Sequence, residues 1–270
     1  MTTGLAVLDA ALGGLVPGAL VCMAGRPCVG KTDLLLDAAI RICRRFGTNV
    51  VFATAHEYPS EIIERSPLVA KPALMEIPTL DVLRMRNPFP SDGQSKIFVV
   101  DIHGVGATWP HVLAHQLQVD HPAGCGLLIA DGWSAYPDRG TCIELELAGT
   151  RYVVAWERPC LRLSAATLRT GARHAERSSV ATIYGIRTAE NDKQWLGPTF
   201  GDLLHLSSAA RVSASETVLV HRPELYLASG PHSEANRGLI ELTNAHPNGR
   251  HSCRSELWHN KGELGFVSER

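Results

Sequence analysis

The sequence predicts an α/β protein with a mostly parallel central sheet flanked by helices. Three observations carry that expectation. Short apolar runs alternate with helical patterns, and strand–helix–strand alternation builds a parallel sheet covered by helices. The stretch "GRPCVGKT", Gly25 to Thr32, lies between one such run and one such helix. Two β-rich runs within "CIELELAGTRYVVAWE", about 142–157, flank Ala148-Gly149-Thr150 and read as an inserted hairpin.

The elements follow in order. Leu5, Leu8 and Leu12 keep helical spacing, and Gly13-Gly14 stops that helix. Pro17-Gly18 is a turn, and "ALVCMAG" is a buried strand that feeds the glycine-rich stretch. "DLLLDAAIRICRRF" is apolar almost all round, as a helix packed on a sheet is. "NVVFATA" is a second buried strand and "PSEIIER" opens another helix. Residues 66–95 are rich in Pro and lack periodicity. Order returns with "KIFVVD" as strand, "WPHVLAHQLQV" as helix and "GLLIAD" as strand. After the hairpin come the helix "SAATLRTGARHAERS" and the strand "VATIYGI". Polar loops are expected at 187–200 and 207–215, with the strand "ETVLVHR" after them. "GLIELT" and "SELWH" read as further strands around the turn Asn248-Gly249.

Composition excludes several classes. The chain has 270 residues, 45% hydrophobic and 20% charged, which suits a globular fold with a real core. We read it as a single domain, 1–270. The formal net charge of −1 argues against a protein that coats DNA through a global basic field. Seven cysteines are scattered without CxxC spacing, and read as reduced thiols rather than a disulfide framework or zinc site. His111 and His115 stand at i, i+4, and a solvated helix face is expected there rather than a metal site. No signal-peptide pattern opens the chain and no apolar run reaches ~18 residues, so a cytoplasmic protein that enters no membrane is expected.

The chemistry centres on the glycine-rich stretch, which satisfies G-x-x-x-x-G-K-[ST] in full. Gly25, Arg26, Pro27, Cys28, Val29 and Gly30 would wrap backbone N–H groups around phosphates, with positive potential added by the helix N-terminus. Lys31 would reach the β- and γ-phosphates of ATP, and the Thr32 hydroxyl would ligate Mg²⁺. Asp131 ends a buried strand, where parallel sheets place ligands, and is a second Mg²⁺ ligand or else a strand-end cap. Glu57 follows another strand end. It is either a general base for an attacking water or a surface Glu that opens the next helix.

"TGLAVLDAALGGLVPGALVCMAGRPCVGKT" resembles the start of the ATPase domain of DnaB-type replicative helicases, including Arg26-Pro27 inside the loop. "VVFATAHEYPSEIIER" resembles that family's strand ending in a catalytic Glu, and Glu57 falls on it. "KIFVVDIHGVGATWPHVLAHQL" with "GLLIADGWSAY" places Asp131 on the Walker B position. "GDLLHLSSAARVSASETVLVHRPELY" and "RGLIELTNAHPNG" resemble the DNA-loop and closing segments. The resemblance implies a RecA-like P-loop NTPase. It implies ATP hydrolysis with Mg²⁺, a hexameric ring or a replication protein as partner, and action on single-stranded DNA near a bacterial or phage nucleoid. It places Arg187, Lys193 and Arg211 in channel-lining loops, where they would grip phosphates or else be ordinary surface charge.

Three departures accompany it. Gly185 stands where the family has a γ-phosphate-sensing Gln. Ala245, His246 and Pro247 replace a Lys-x-Arg pair that reaches the neighbouring subunit's ATP, with Arg250 as a possible substitute. The family's helical N-terminal domain has no counterpart in this sequence. These departures imply a second expectation, a nucleotide-binding interaction module or switch.

Overall fold

The computed structural model describes residues 1–66, 74–77, 94–103, 108–135, 142–147, 150–156, 161–188, 197–225, 238–245, 251–259 and 266–267. Its strands are β1 (Leu20–Gly25), β2 (Asn49–Thr54), β3 (Leu74–Ile77), β4 (Ile97–Asp101), β5 (Cys125–Ser134), β6 (Cys142–Leu147) and β7 (Thr150–Trp156). They continue with β8 (Leu161–Arg162), β9 (Ala181–Arg187), β10 (Glu216–His221), β11 (Leu239–Ala245), β12 (His251–His259) and β13 (Phe266–Val267). The helices are α1 (Ala6–Leu12), α2 (Lys31–Phe46), α3 (Pro59–Arg65), α4 (Trp109–Asp120), α5 (Ala165–Ser178) and α6 (Ser207–Ser213).

Among the described residues one sheet runs β13-β12-β11-β10-β1-β9-β5-β2-β4-β3, with β8 paired to β5. Its centre and one flank, from β10 to β3, pair in parallel, and β11, β12 and β13 add antiparallel strands. This is the expected mostly parallel sheet. β6 and β7 form a separate antiparallel pair, the expected hairpin.

Burial explains why the apolar runs became strands. Strands covered on both faces need apolar residues at every position, and the two-residue period sorts them between two cores. Val21 and Met23, Val50 and Phe52, Leu127 and Ile129 face α1, α2 and α3. Cys22, Val51, Leu128 and Tyr184 face α4, α5 and α6. Helix signals are equally local. α1 ends on Gly13 in the left-handed region, and Ser164 caps α5 by accepting the Thr167 N–H. Pro59 occupies the first turn of α3, and Glu61 accepts the Tyr58 N–H at 2.9 Å.

Three expectations change. β5 does not stop at Asp131 but continues to Ser134 through an irregularity. Residues 207–213 are helix, not loop, because Ala209 and Ala210 are buried against the sheet-side core. His111 is on no solvated face: it is buried, 2.7 Å from the Tyr184 hydroxyl. Within the described residues no group of three His, Cys, Asp or Glu is placed to hold a metal, and no helix is long and apolar enough to cross a membrane. The cysteines described there, Cys22, Cys28, Cys43 and Cys125, form no disulfide.

Candidate nucleotide site

The site forms along the carboxyl ends of the parallel strands. β1 delivers the chain into the loop, and α2 begins at Lys31 immediately after Gly30, whose φ of 86° is left-handed and suits glycine. The first turn of α2 therefore presents its N–H groups to the space above β1. Lys31 Nζ donates to the Gly25 and Arg26 carbonyls at 3.0 and 2.7 Å, folding over the loop.

Thr32 Oγ1 donates to Asp131 Oδ2 at 2.6 Å. The bulge in β5 creates this contact. Ala130 pairs with Tyr184 and Trp133 with Ile186, so Asp131 and Gly132 together oppose Gly185. Gly132 adopts φ 90°, and a Cβ there would stand 2.7 Å from the His56 nitrogen. Gly185 is small for a different reason: a Cβ at that position would lie 2.1 Å from Asp131 Oδ1 and 3.0 Å from Leu35. The absent Gln thus has a structural counterpart. The space its side chain would need is filled by the Asp131 carboxylate.

Glu57 follows β2, whose Thr54 pairs with Asp131. The Thr54 hydroxyl donates to the Glu57 carbonyl at 2.9 Å and accepts the Glu57 N–H at 3.2 Å, which fixes the turn. Burial raises the Glu57 pKa; Arg65 opposes that shift, and Asp131 adds to it. Arg65 bridges the first turn of α2 to α3, pairing with Asp33 at 3.3 Å and with Glu57.

Lys31, Thr32, Glu57 and Asp131 line one cavity of about 270 Å³. Pro27, Cys28 and Gly30 line it too, whereas the Arg26 side chain is fully buried and donates to the Gly197 carbonyl at 3.3 Å. Val29 is also buried. Arg187 closes β9 and lines this cavity, so it stands on a strand end rather than a loop. Arg211 is exposed on α6, with its guanidinium 5.1 Å from the Phe200 ring centre. Lys193, His246, Pro247 and Arg250 lie outside the described residues, and Ala245 is buried at the end of β11.

Sequence reasoning missed Arg65 and Arg222 and misplaced Arg187; all three line the cavity. The signal was present for two of them. Arg187 ends a strand and Arg222 directly follows one, and the carboxyl ends of parallel strands border the ligand crevice.

Fold and site together define a P-loop, RecA-like α/β architecture. The profile of the DnaB-like helicase C-terminal domain matches residues 1–80. One solved ATPase domain, from a DnaB-like helicase, superposes with a TM-score of 0.67 at 17% identity, over 99% of this chain and 90% of that one. A DnaB-like replicative helicase, solved with its interactions with primase, gives 0.66 at 17% identity, over 99% of this chain and 61% of its own. The RadB recombinase gives 0.51 at 14% identity, over 100% and 99%. No curated protein matches the sequence. The resemblance to DnaB-type ATPase domains therefore holds in sequence over the first 80 residues and in fold over nearly the whole chain.

Proposed function

We propose that this chain binds Mg-ATP in the cavity above β1 and hydrolyses it, as the ATPase part of a DnaB-like motor acting on single-stranded DNA. One observation carries the reading: the P-loop lysine and threonine, a carboxylate bonded to that threonine at 2.6 Å, and a second carboxylate share one cavity. The Thr32 hydroxyl and the Asp131 carboxylate offer hard oxygen donors, which suit Mg²⁺. Bound there, the ion would neutralise phosphate charge. Lys31 would exchange its loop carbonyls for β- and γ-phosphate oxygens. Glu57 would accept a proton from the attacking water once its carboxylate turns from Arg65.

A second reading is a nucleotide-gated interaction module. The buried Ala245 favours it, because this described residue of the closing segment has no side chain to reach a neighbour's nucleotide. Turnover separates the two. Glu57→Gln should keep Mg-ATP binding and slow hydrolysis by ~10²-fold or more. Hydrolysis at the wild-type rate by Glu57→Gln would remove Glu57 as the base, and no hydrolysis by the wild type would favour the module. Single-stranded DNA added to the same assay should raise the rate if the motor reading holds.

A further inference from the structure

We propose that Arg187 is a catalytic cation supplied in cis, facing the terminal phosphoryl group of ATP, so that turnover requires no basic residue from a neighbouring subunit. The proposal rests on the Mg-ATP reading above and adds a residue and an assembly-independent mechanism to it.

Topology fixes the place. β9 lies between β1, which carries the phosphate loop, and β5, which carries Asp131. Gly25 pairs with Arg187 on one side and Ser134 pairs with it on the other. Two further bonds hold this strand end. The Thr188 N–H donates to the Gly25 carbonyl at 3.0 Å, and the Arg187 carbonyl accepts the Ala135 N–H at 3.0 Å. The Arg187 backbone is thus tied to the first residue of the loop and to the extension of β5. Neighbouring strands lie ~4.8 Å apart, so the guanidinium has its root between the phosphate cradle and the Mg²⁺ ligand.

The strand period fixes the side. Ile183 packs in the core shared with α2, and the Cβ direction of Gly185 runs into Asp131 and Leu35 of α2. Arg187, two and four residues on, points to the same face. It is 8% exposed and lines the cavity. The other cations of the cavity have different positions. Lys31 lies over the Gly25 and Arg26 carbonyls, Arg65 is engaged by Glu57 and Asp33, and Arg222 follows β10, on the far side of β1.

The chemistry asks for such a group. Water attacks the γ-phosphorus and a new P–O bond forms. The bond to the β,γ-bridging oxygen breaks, and its electron pair leaves with ADP. Glu57 takes the water proton and returns it to solvent, leaving ADP and inorganic phosphate. Charge on the phosphoryl oxygens is met by N–H donors of a guanidinium that stays protonated throughout. An arginine in this role is worth ~10³–10⁵ in rate.

The test compares the wild type with Arg187→Lys and Arg187→Gln, and uses Mg-ATP and Mg-ADP affinities beside turnover. Wild-type specific activity should stay flat as protein concentration rises. Arg187→Gln should lower kcat by ~10²-fold or more and weaken ATP binding, while ADP affinity stays within about threefold. Arg187→Lys should recover part of the loss. Retained ADP affinity reports an intact fold. If Arg187→Gln does not fold, Arg187→Ala assayed with added guanidinium decides, with restored turnover expected. An unchanged ratio of ATP to ADP affinity with unchanged kcat would overturn the proposal. So would specific activity that climbs with concentration equally in wild type and Arg187→Gln, since the group would then come from a neighbour. A wild type that binds neither nucleotide would overturn the Mg-ATP reading and the proposal together. One that binds both, and loses both on Lys31→Ala, leaves the Mg-ATP reading standing, so failure at Arg187 would then count against the proposal alone.

Discussion

At the scale of single residues, the absence of a side chain at position 185 is as informative as the presence of one at 131. The Asp131 carboxylate occupies the space in front of Gly185, and it can do so only because no Cβ intrudes within 2.1 Å of Oδ1. Gly185→Ala should therefore displace the carboxylate and break its 2.6 Å bond to Thr32. The expected outcome is Mg-dependent nucleotide binding weakened by ~10-fold or more, the scale of losing one charge-assisted bond of about 1.5–3 kcal/mol. Titration with and without Mg²⁺ checks it; equal affinities for wild type and variant would refute this account of Gly185. Glu57 makes a prediction in pH. The base works ionised, and burial raises its pKa above the usual carboxylate value. Turnover should fall as pH drops, beginning at a higher pH than an ordinary Glu would give. Arg65→Gln should move that midpoint further up, because the arginine favours the ionised form. A midpoint that stays put would sever the link between them.

At the scale of elements, the clearest case joins α4, α5 and β9. His111 of α4 is hydrogen-bonded to Tyr184 of β9 and stacks on His174 of α5 at 5.3 Å. Desolvation, with a smaller contribution from His174, lowers the His111 pKa to about 3. Its folded pKa is therefore depressed below the ordinary 6.5. The unfolded chain binds a proton between those values that the native state refuses, so this contribution to stability is complete above 6.5 and lost as pH falls. Tyr184→Phe should leave a buried imidazole nitrogen unsatisfied and cost about 1–3 kcal/mol in denaturant titration. His111→Gln should flatten the acid-side fall in melting temperature; a fall as steep as in the wild type would contradict the role.

The same elements show what the sequence discloses and what it hides. Apolar runs announced β1, β2, β4, β5, β9 and β10, because strands buried on both faces require them. The bulge at Asp131-Gly132 was invisible, since it depends on the register of β5 against β9. His111 was misread because its burial comes from a helix in another part of the chain. α6 was misread because a short run of small residues acquires its helix through packing, not propensity.

At the scale of the whole molecule, function is concentrated on one edge of the sheet. Lys31, Thr32, Glu57, Asp131 and Arg187 come from positions 31 to 187, and strand order alone brings them to one cavity. The motif at 25–32 was legible because its spacing is local. The arginines were not, because each is recognised by the strand end it occupies, and that is known only once neighbours are known. The central claim, that this cavity binds Mg-ATP through the P-loop, is tested most directly by calorimetric titration of Mg-ATP into wild type and Lys31→Ala. The account predicts saturable binding by the wild type and a loss of ~10-fold or more in the variant, with its thermal unfolding otherwise unchanged. Equal affinities, or no binding by the wild type at millimolar nucleotide, would contradict it.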